Sequence, residues 1–202
     1  MKCTWIVAAV ASVIGAGACH AQEGVDKAHA AAFDGRMFGA PLSQKTYACF
    51  VRRYDASHLA QHPKQKVSAM RLLVTAEETS EDKTINYSFR LGVKYRHRAG
   101  NFDSSGYCNH VVAEDKGGEI HFGCGVDCDG GGIQTALSKD DKSAVVRLER
   151  VRIWQNSKPD DDAEHSLEAG SDDGIFRLDR VDNRECASLA TDRKELAELR
   201  RK

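Results

Sequence analysis

Between Ile85 and Arg96 the chain alternates without a break. Ile85, Tyr87, Phe89, Leu91, Val93 and Tyr95 are apolar or aromatic, and Asn86, Ser88, Arg90, Gly92, Lys94 and Arg96 between them are polar, basic or glycine. A side-chain period of two held over twelve positions suits a half-buried strand and cannot form a stripe on a helix, whose period is 3.6. Strands with one apolar and one solvated face belong to antiparallel sheets. This stretch therefore sets the fold class, and the rest of the chain is read around it.

On its N-terminal side, Thr46 to Tyr54 has the β-branched and aromatic content of a strand. A short helix over Ala56 to His62 follows, with Asp55 or Ser57 to cap it and Pro63 to stop it. Lys66 to Glu78 reads as a strand buried on one face and in part on the other. On the C-terminal side, Tyr107 to Ala113 and Glu119 to Cys124 form strands joined around Lys116, Gly117 and Gly118. Ile133 to Leu137 follows the glycines 130 to 132, and Ala144 to Trp154 follows the turn at Lys139 to Lys142. In that long strand Ala144, Val146 and Leu148 share one parity and Val151 and Ile153 the other, a slip near Glu149 and Arg150 that signals a β-bulge. Asn156 to Asp173 is acidic and reads as a loop projecting into solvent. Gly174 to Val181 is the last strand, and Thr191 to Arg201 reads as a surface helix with Thr191 as N-cap.

The expected fold is all-β, an antiparallel meander of about eight strands, with a short helix after the first strand and a C-terminal helix. Tight connections impose antiparallel neighbours, and closing the meander into a barrel removes both exposed edges. The outcome is similar in outline to lipocalin-like barrels, a likeness of architecture. A two-sheet β-sandwich is the alternative. The domain plan is a signal peptide over residues 1–21, an N-terminal tail over 22–45, one β domain over 46–186 and a C-terminal helix over 187–202. Within the tail, Val25 to Phe33 is alanine-rich and reads either as two helical turns or as an ordered tail.

The address comes from the N-terminus. Lys2 precedes an apolar and small-residue run from Trp5 to Gly17, long enough for a signal peptide and too short to span a bilayer. Cleavage after Ala21 makes Gln22 the first mature residue. Cys19 offers a second address, because Gly17-Ala18-Cys19 resembles the end of a bacterial lipoprotein box and implies lipidation at that cysteine. The expected location is periplasmic or secreted. No other segment reads as a transmembrane span. Lys and Arg total 29 against 30 Asp and Glu, so no basic excess is present to hold nucleic acid.

Cleavage after Ala21 leaves cysteines 49, 108, 124, 128 and 186, and in an oxidising compartment these read as disulfides with at least one thiol left free or bonded elsewhere. A hairpin turning about Lys116 sets residue i opposite 232 − i, so Cys108 faces Cys124 and His110 faces Phe122; Cys128 is the alternative partner if the turn shifts. In a closed barrel the first and last strands are neighbours, and a Cys49–Cys186 bridge then ties the ends. Cys108, His110, His121, Cys124 and Cys128 are also soft metal ligands close in sequence, but they lack paired spacing. His58 and His62, four apart on the short helix, are a second weak metal candidate, without the glutamate of a metalloprotease motif. No cofactor is expected.

Two function classes follow. One is a non-enzymatic exported module binding a small apolar ligand or a protein partner, with Tyr87, Phe89 and Tyr95 either lining a barrel cavity or belonging to a packed core. The other is a thiol- or metal-dependent enzyme built on Cys128 or a His/Cys site. A structural envelope lipoprotein anchored through Cys19 is a third reading.

Overall fold

The structure, a computed structural model, describes residues 25–39, 42, 45–155 and 166–201. The expected signal peptide, Gln22 and Cys19 lie outside the described residues, as does the part of the acidic run over 156–165. Ten strands and three α-helices are present among those described: α1 (Lys27–Phe38), β1 (Lys45–Arg53), α2 (Ala56–Gln61), β2 (Val67–Glu78), β3 (Ile85–Tyr95), β4 (Phe102–Ala113), β5 (Glu119–Gly125), β6 (Gly131–Leu137), β7 (Ser143–Arg152), β8 (Trp154–Gln155), β9 (Ser166–Glu168), β10 (Ile175–Val181) and α3 (Arg193–Arg200).

Eight of the strands close a barrel. β1 to β7 pair in sequence order, β7 pairs with β10, and β10 returns to β1, every contact antiparallel. β8 adds a short pairing beside β4 and β9 one beside β7. The β4–β5 hairpin keeps the expected register, with Cys108 opposite Cys124 and His110 opposite Phe122. Its turn needs glycine, since Gly117 and Gly118 have φ of 72° and 82°, a region that side chains disfavour. The bulge in β7 is also present. Ile133 pairs with Leu148 and Gly131 with Val151, so two steps on β6 match three on β7, and the extra residue falls at Glu149 or Arg150.

Inward side chains fill the barrel. Phe50, Phe89, Phe102, Phe122, Phe176, Met70, Leu72 and Leu91 are among the largest fully buried groups. Complete burial of one such side chain contributes about 1.5–3 kcal/mol. α1 covers one end. Asp26 caps it by accepting from the amides of Ala28 and His29, Gly39 ends it in the left-handed region, and Phe33, Met37 and Phe38 insert into the core. Of the two readings of Val25 to Phe33, the helical one holds, and the helix runs on to Phe38 as three turns that belong to the fold.

A second, smaller core lies outside the barrel wall. Cys49, Val51 and Leu73 pack there against Cys186 and Leu199 of the C-terminal segment. The polar outer face of β3 is therefore partly covered. The Leu189 side chain packs over Gly92, and Arg90 reaches into α3. Asp192, one residue after the expected Thr191, caps α3 by accepting from the Glu195 amide. Two disulfides join Cys49 to Cys186 and Cys108 to Cys124. Among the described residues no helix is long and apolar enough to cross a membrane.

Candidate functional site

β1 and β10 close the barrel over three residue pairs only, Cys49–Val181, Phe50–Arg180 and Val51–Asp179. Beyond them β1 stays with β2, and Ile175 to Asp179 stay with β7. Between the two parting strands lies a groove of about 660 Å³, lined by Arg52 and Tyr54 on one side and Gly174, Ile175, Arg177 and Asp179 on the other. That volume falls within the range of roughly 300–1,000 Å³ typical of ligand sites.

α2 floors the groove. Asp55 caps it by accepting from the His58 amide at 2.7 Å. The four-residue spacing puts His58 and His62 on one face, their rings stacked at 4.4 Å and 25°, and the Tyr54 ring stacks on His58 at 4.5 Å and 26°. Gln65 orients the middle ring. Its amide nitrogen donates to the Val67 carbonyl at 2.7 Å, which leaves its oxygen to accept from His58 Nε2 at 3.0 Å. The Arg52 guanidinium lies over the Tyr54 ring at 5.3 Å and 3.3 Å from Asp179. Arg177 donates from Nε to Ser143 at 3.0 Å. Burial pushes the Tyr54 phenol above its usual range, so it stays a neutral donor at physiological pH. The loop at 170–174 is pinned by Asp173, which is fully buried and accepts from the amides of Lys66 and Val67 at 2.7 and 3.2 Å. The expectation that this acidic run projects into solvent fails at Asp173. The site thus offers a π surface, cationic groups and hydrogen-bond donors on a firm frame.

Of the cavity candidates read from sequence, Phe89 lies in the packed interior, and Tyr87 and Tyr95 are half-buried and pack against it. Phe89 is fully buried, and Tyr95 sets its ring edge-on to Phe102 at 5.1 Å. Tyr87 donates at 2.6 Å to Asp34 of α1, whose other oxygen lies 2.8 Å from His110 Nε2. Phe33 and Phe122 surround this trio. Burial, with the hydrogen bond to Asp34 second, pushes the Tyr87 phenol well above its usual range. The trio docks α1 on the barrel. Asp34→Asn replaces charge-assisted bonds by neutral ones and is expected to lower unfolding stability by about 1–2 kcal/mol, read by urea denaturation. An unchanged midpoint would show that apolar contacts alone hold the helix.

The soft-ligand cluster is taken apart. Cys108 and Cys124 bond each other, His110 is engaged by Asp34, and His121 is buried with its Nε2 3.6 Å from a Glu119 oxygen. Cys128 is free and exposed in the β5–β6 turn, past the far end of β5 from His121, and among the described residues no hydrogen bond reaches its sulfur. His58 and His62 are stacked, as their spacing allows, with no third ligand grouped beside them among the described residues. Sequence reasoning missed Arg52, Tyr54, Gln65 and Arg177. The available signal was Ile175, a large apolar residue on the polar parity of the last strand. Comparison with protein-family models, curated proteins and solved structures finds no match to this chain.

Proposed function

We propose that this chain is an exported, non-enzymatic recognition module whose ligand or partner binds in the groove between β1 and β10. The observation that carries the reading is the Tyr54–His58–His62 stack, held by Gln65 beside Arg52 and Arg177 in an open groove. Rings fixed before binding lose little entropy on contact, so such a surface supports affinity. Two disulfides and a packed interior give it a rigid base, and the disulfides fit an oxidising location outside the cytoplasm. The packed interior supports seating the ligand on the barrel wall rather than in the lumen.

The test is mass spectrometry on protein purified from its exported compartment without reductant, first native and then denatured. Extra mass that leaves on denaturation, and that falls at least tenfold in occupancy in Tyr54→Ala, is the expected result. A ligand retained by Tyr54→Ala, or no ligand and no partner affected by the groove, would overturn the proposal. The denatured mass also reads the N-terminus: Gln22 supports cleavage as a soluble protein, and a lipidated Cys19 supports an anchor.

A further inference from the structure

Among the described residues, part of the β10 backbone faces the groove without a strand partner. Gly174 accepts from the Leu148 amide, and the Arg180 amide donates to the Lys142 carbonyl. Both bonds belong to even-numbered positions, Arg180 within β10 and Gly174 just before it, and run toward β7. Along an antiparallel strand a residue's N–H and C=O point to the same side, and alternate residues point to opposite sides. Residues 175, 177 and 179 therefore direct their backbone groups toward β1. Asp179 meets Val51 there, but Ile175 and Arg177 have no strand partner on that side among the described residues. A stretch of sheet edge is thus left open inside the groove. Beside it Ile175 is 61% exposed, so a large apolar side chain borders the open edge.

We infer that the groove's occupant is an extended peptide segment, added as a short strand to the free edge at Ile175 and Arg177 and carrying an apolar or aromatic side chain onto Ile175 and the Tyr54–His58–His62 stack. The inference rests on the groove being the binding site. Only an extended backbone presents donors and acceptors at the spacing of a strand edge, so the two free residues select a peptide over a rigid small molecule. Side-chain choice then falls to the aromatic wall, because main-chain bonding is indifferent to sequence. Arg177 lines the same groove and favours an acidic residue at the neighbouring peptide position.

The probe is a set of synthetic dodecapeptides selected from a displayed random library against the immobilised, disulfide-intact protein. Amide hydrogen exchange is followed at Ile175 and Arg177. Both amides exchange fast in the isolated protein and slow on peptide binding. Methylating the peptide nitrogens one at a time abolishes binding at alternate residues and spares those between. Ile175→Pro, which removes a groove-facing N–H at the first residue of a strand, weakens the peptide about fivefold to tenfold more than Ile175→Ala. Methyl scanning leaves the protein unaltered, so it stands even if the proline variant folds poorly. Amides already protected in the isolated chain would overturn the inference, because the edge would be occupied. Peptides lost in Tyr54→Ala but insensitive to alternate methylation would leave the groove as the site and overturn strand addition. A small molecule held in the groove with no peptide selected would do the same. No ligand of any kind at the groove would remove both this inference and the proposed function.

Discussion

Replacing Cys49 and Cys186 together by alanine is expected to lower unfolding stability by about 3–5 kcal/mol, more than the same change at Cys108 and Cys124. The two bridges differ most in the chain they close, with sequence separations of 137 and 16. In the chain-entropy view the longer loop is worth about 5 kcal/mol and the shorter about 3. Position adds to the difference. Cys49 lies in β1 at the seam where only three residue pairs join β10, and Cys186 fastens the C-terminal segment over that strand. Without the bridge the seam depends on those pairs, on the Arg52–Asp179 ion pair and on apolar contact. Exchanging both partners avoids a stray thiol. Urea unfolding read by circular dichroism measures the change, and the slope should rise because the unfolded chain is freer to expand. If the Cys108–Cys124 pair proves the costlier loss, packing inside the barrel outweighs loop closure.

That ordering follows from features plain in the sequence. Cys108 opposite Cys124 follows from a turn centred on Lys116, and the place of Cys186 after the last strand makes it a neighbour of Cys49 once the sheet closes. The β3 alternation and the parity slip in β7 were legible for the same reason: strand periodicity is local, and one extra residue flips every side chain after it. Features set by distant partners were not legible. Phe33, Met37 and Phe38 sit in a stretch whose alanines suggest little packing, and only the open barrel end gives them a place to bury. Arg90 looks solvated until α3 folds over it, and Asp173 looks like one more surface acid until the amides of Lys66 and Val67 reach it.

The candidate site divides in the same way. The spacing of His58 and His62 already puts two rings on one helical face. The groove they line exists because β1 and β10, far apart in sequence, part company after three pairs. No local pattern encodes that divergence, so Tyr54 and Arg177 carried no signal of their own. Whether Tyr87 and Tyr95 line a cavity or join a packed core turns on a quantity that periodicity does not report. The barrel's volume is taken up by its phenylalanines and by α1.

Arg90→Ala is expected to cost about 3–5 kcal/mol, the usual penalty for stripping one partner from a buried ion pair. Glu195 of α3 is 2% exposed, and both of its oxygens are held by Arg90, at 2.5 and 2.7 Å. Arg90 also donates to the Leu189 carbonyl at 2.7 Å, and Glu195 accepts from the Thr191 amide at 2.9 Å with Lys45 3.5 Å away. The cluster therefore ties β3 to the C-terminal segment from the outside. Burial alone would raise the Glu195 carboxyl; the hydrogen bonds from Arg90 and Thr191, with the charges of Arg90 and Lys45, outweigh it and hold the group at about 2, against an ordinary 4.5. A carboxyl depressed in the folded state contributes stability that is complete above about 4.5 and drains away as pH falls through about 2. After allowance for solvent screening, the contribution is roughly 2 kcal/mol. The stability gap between the natural chain and Glu195→Gln should thus be constant at neutral pH, narrow below 4.5 and close near 2. Hydrogen exchange locates the loss. In Arg90→Ala, amides of Arg193–Arg200 should exchange quickly while those of β2 and β3 stay protected, because Cys186 keeps the loosened segment tethered to β1. Uniform exchange across barrel and helix would mean instead that the C-terminal segment and the barrel unfold as a single cooperative unit, with the Arg90–Glu195 pair part of the global transition.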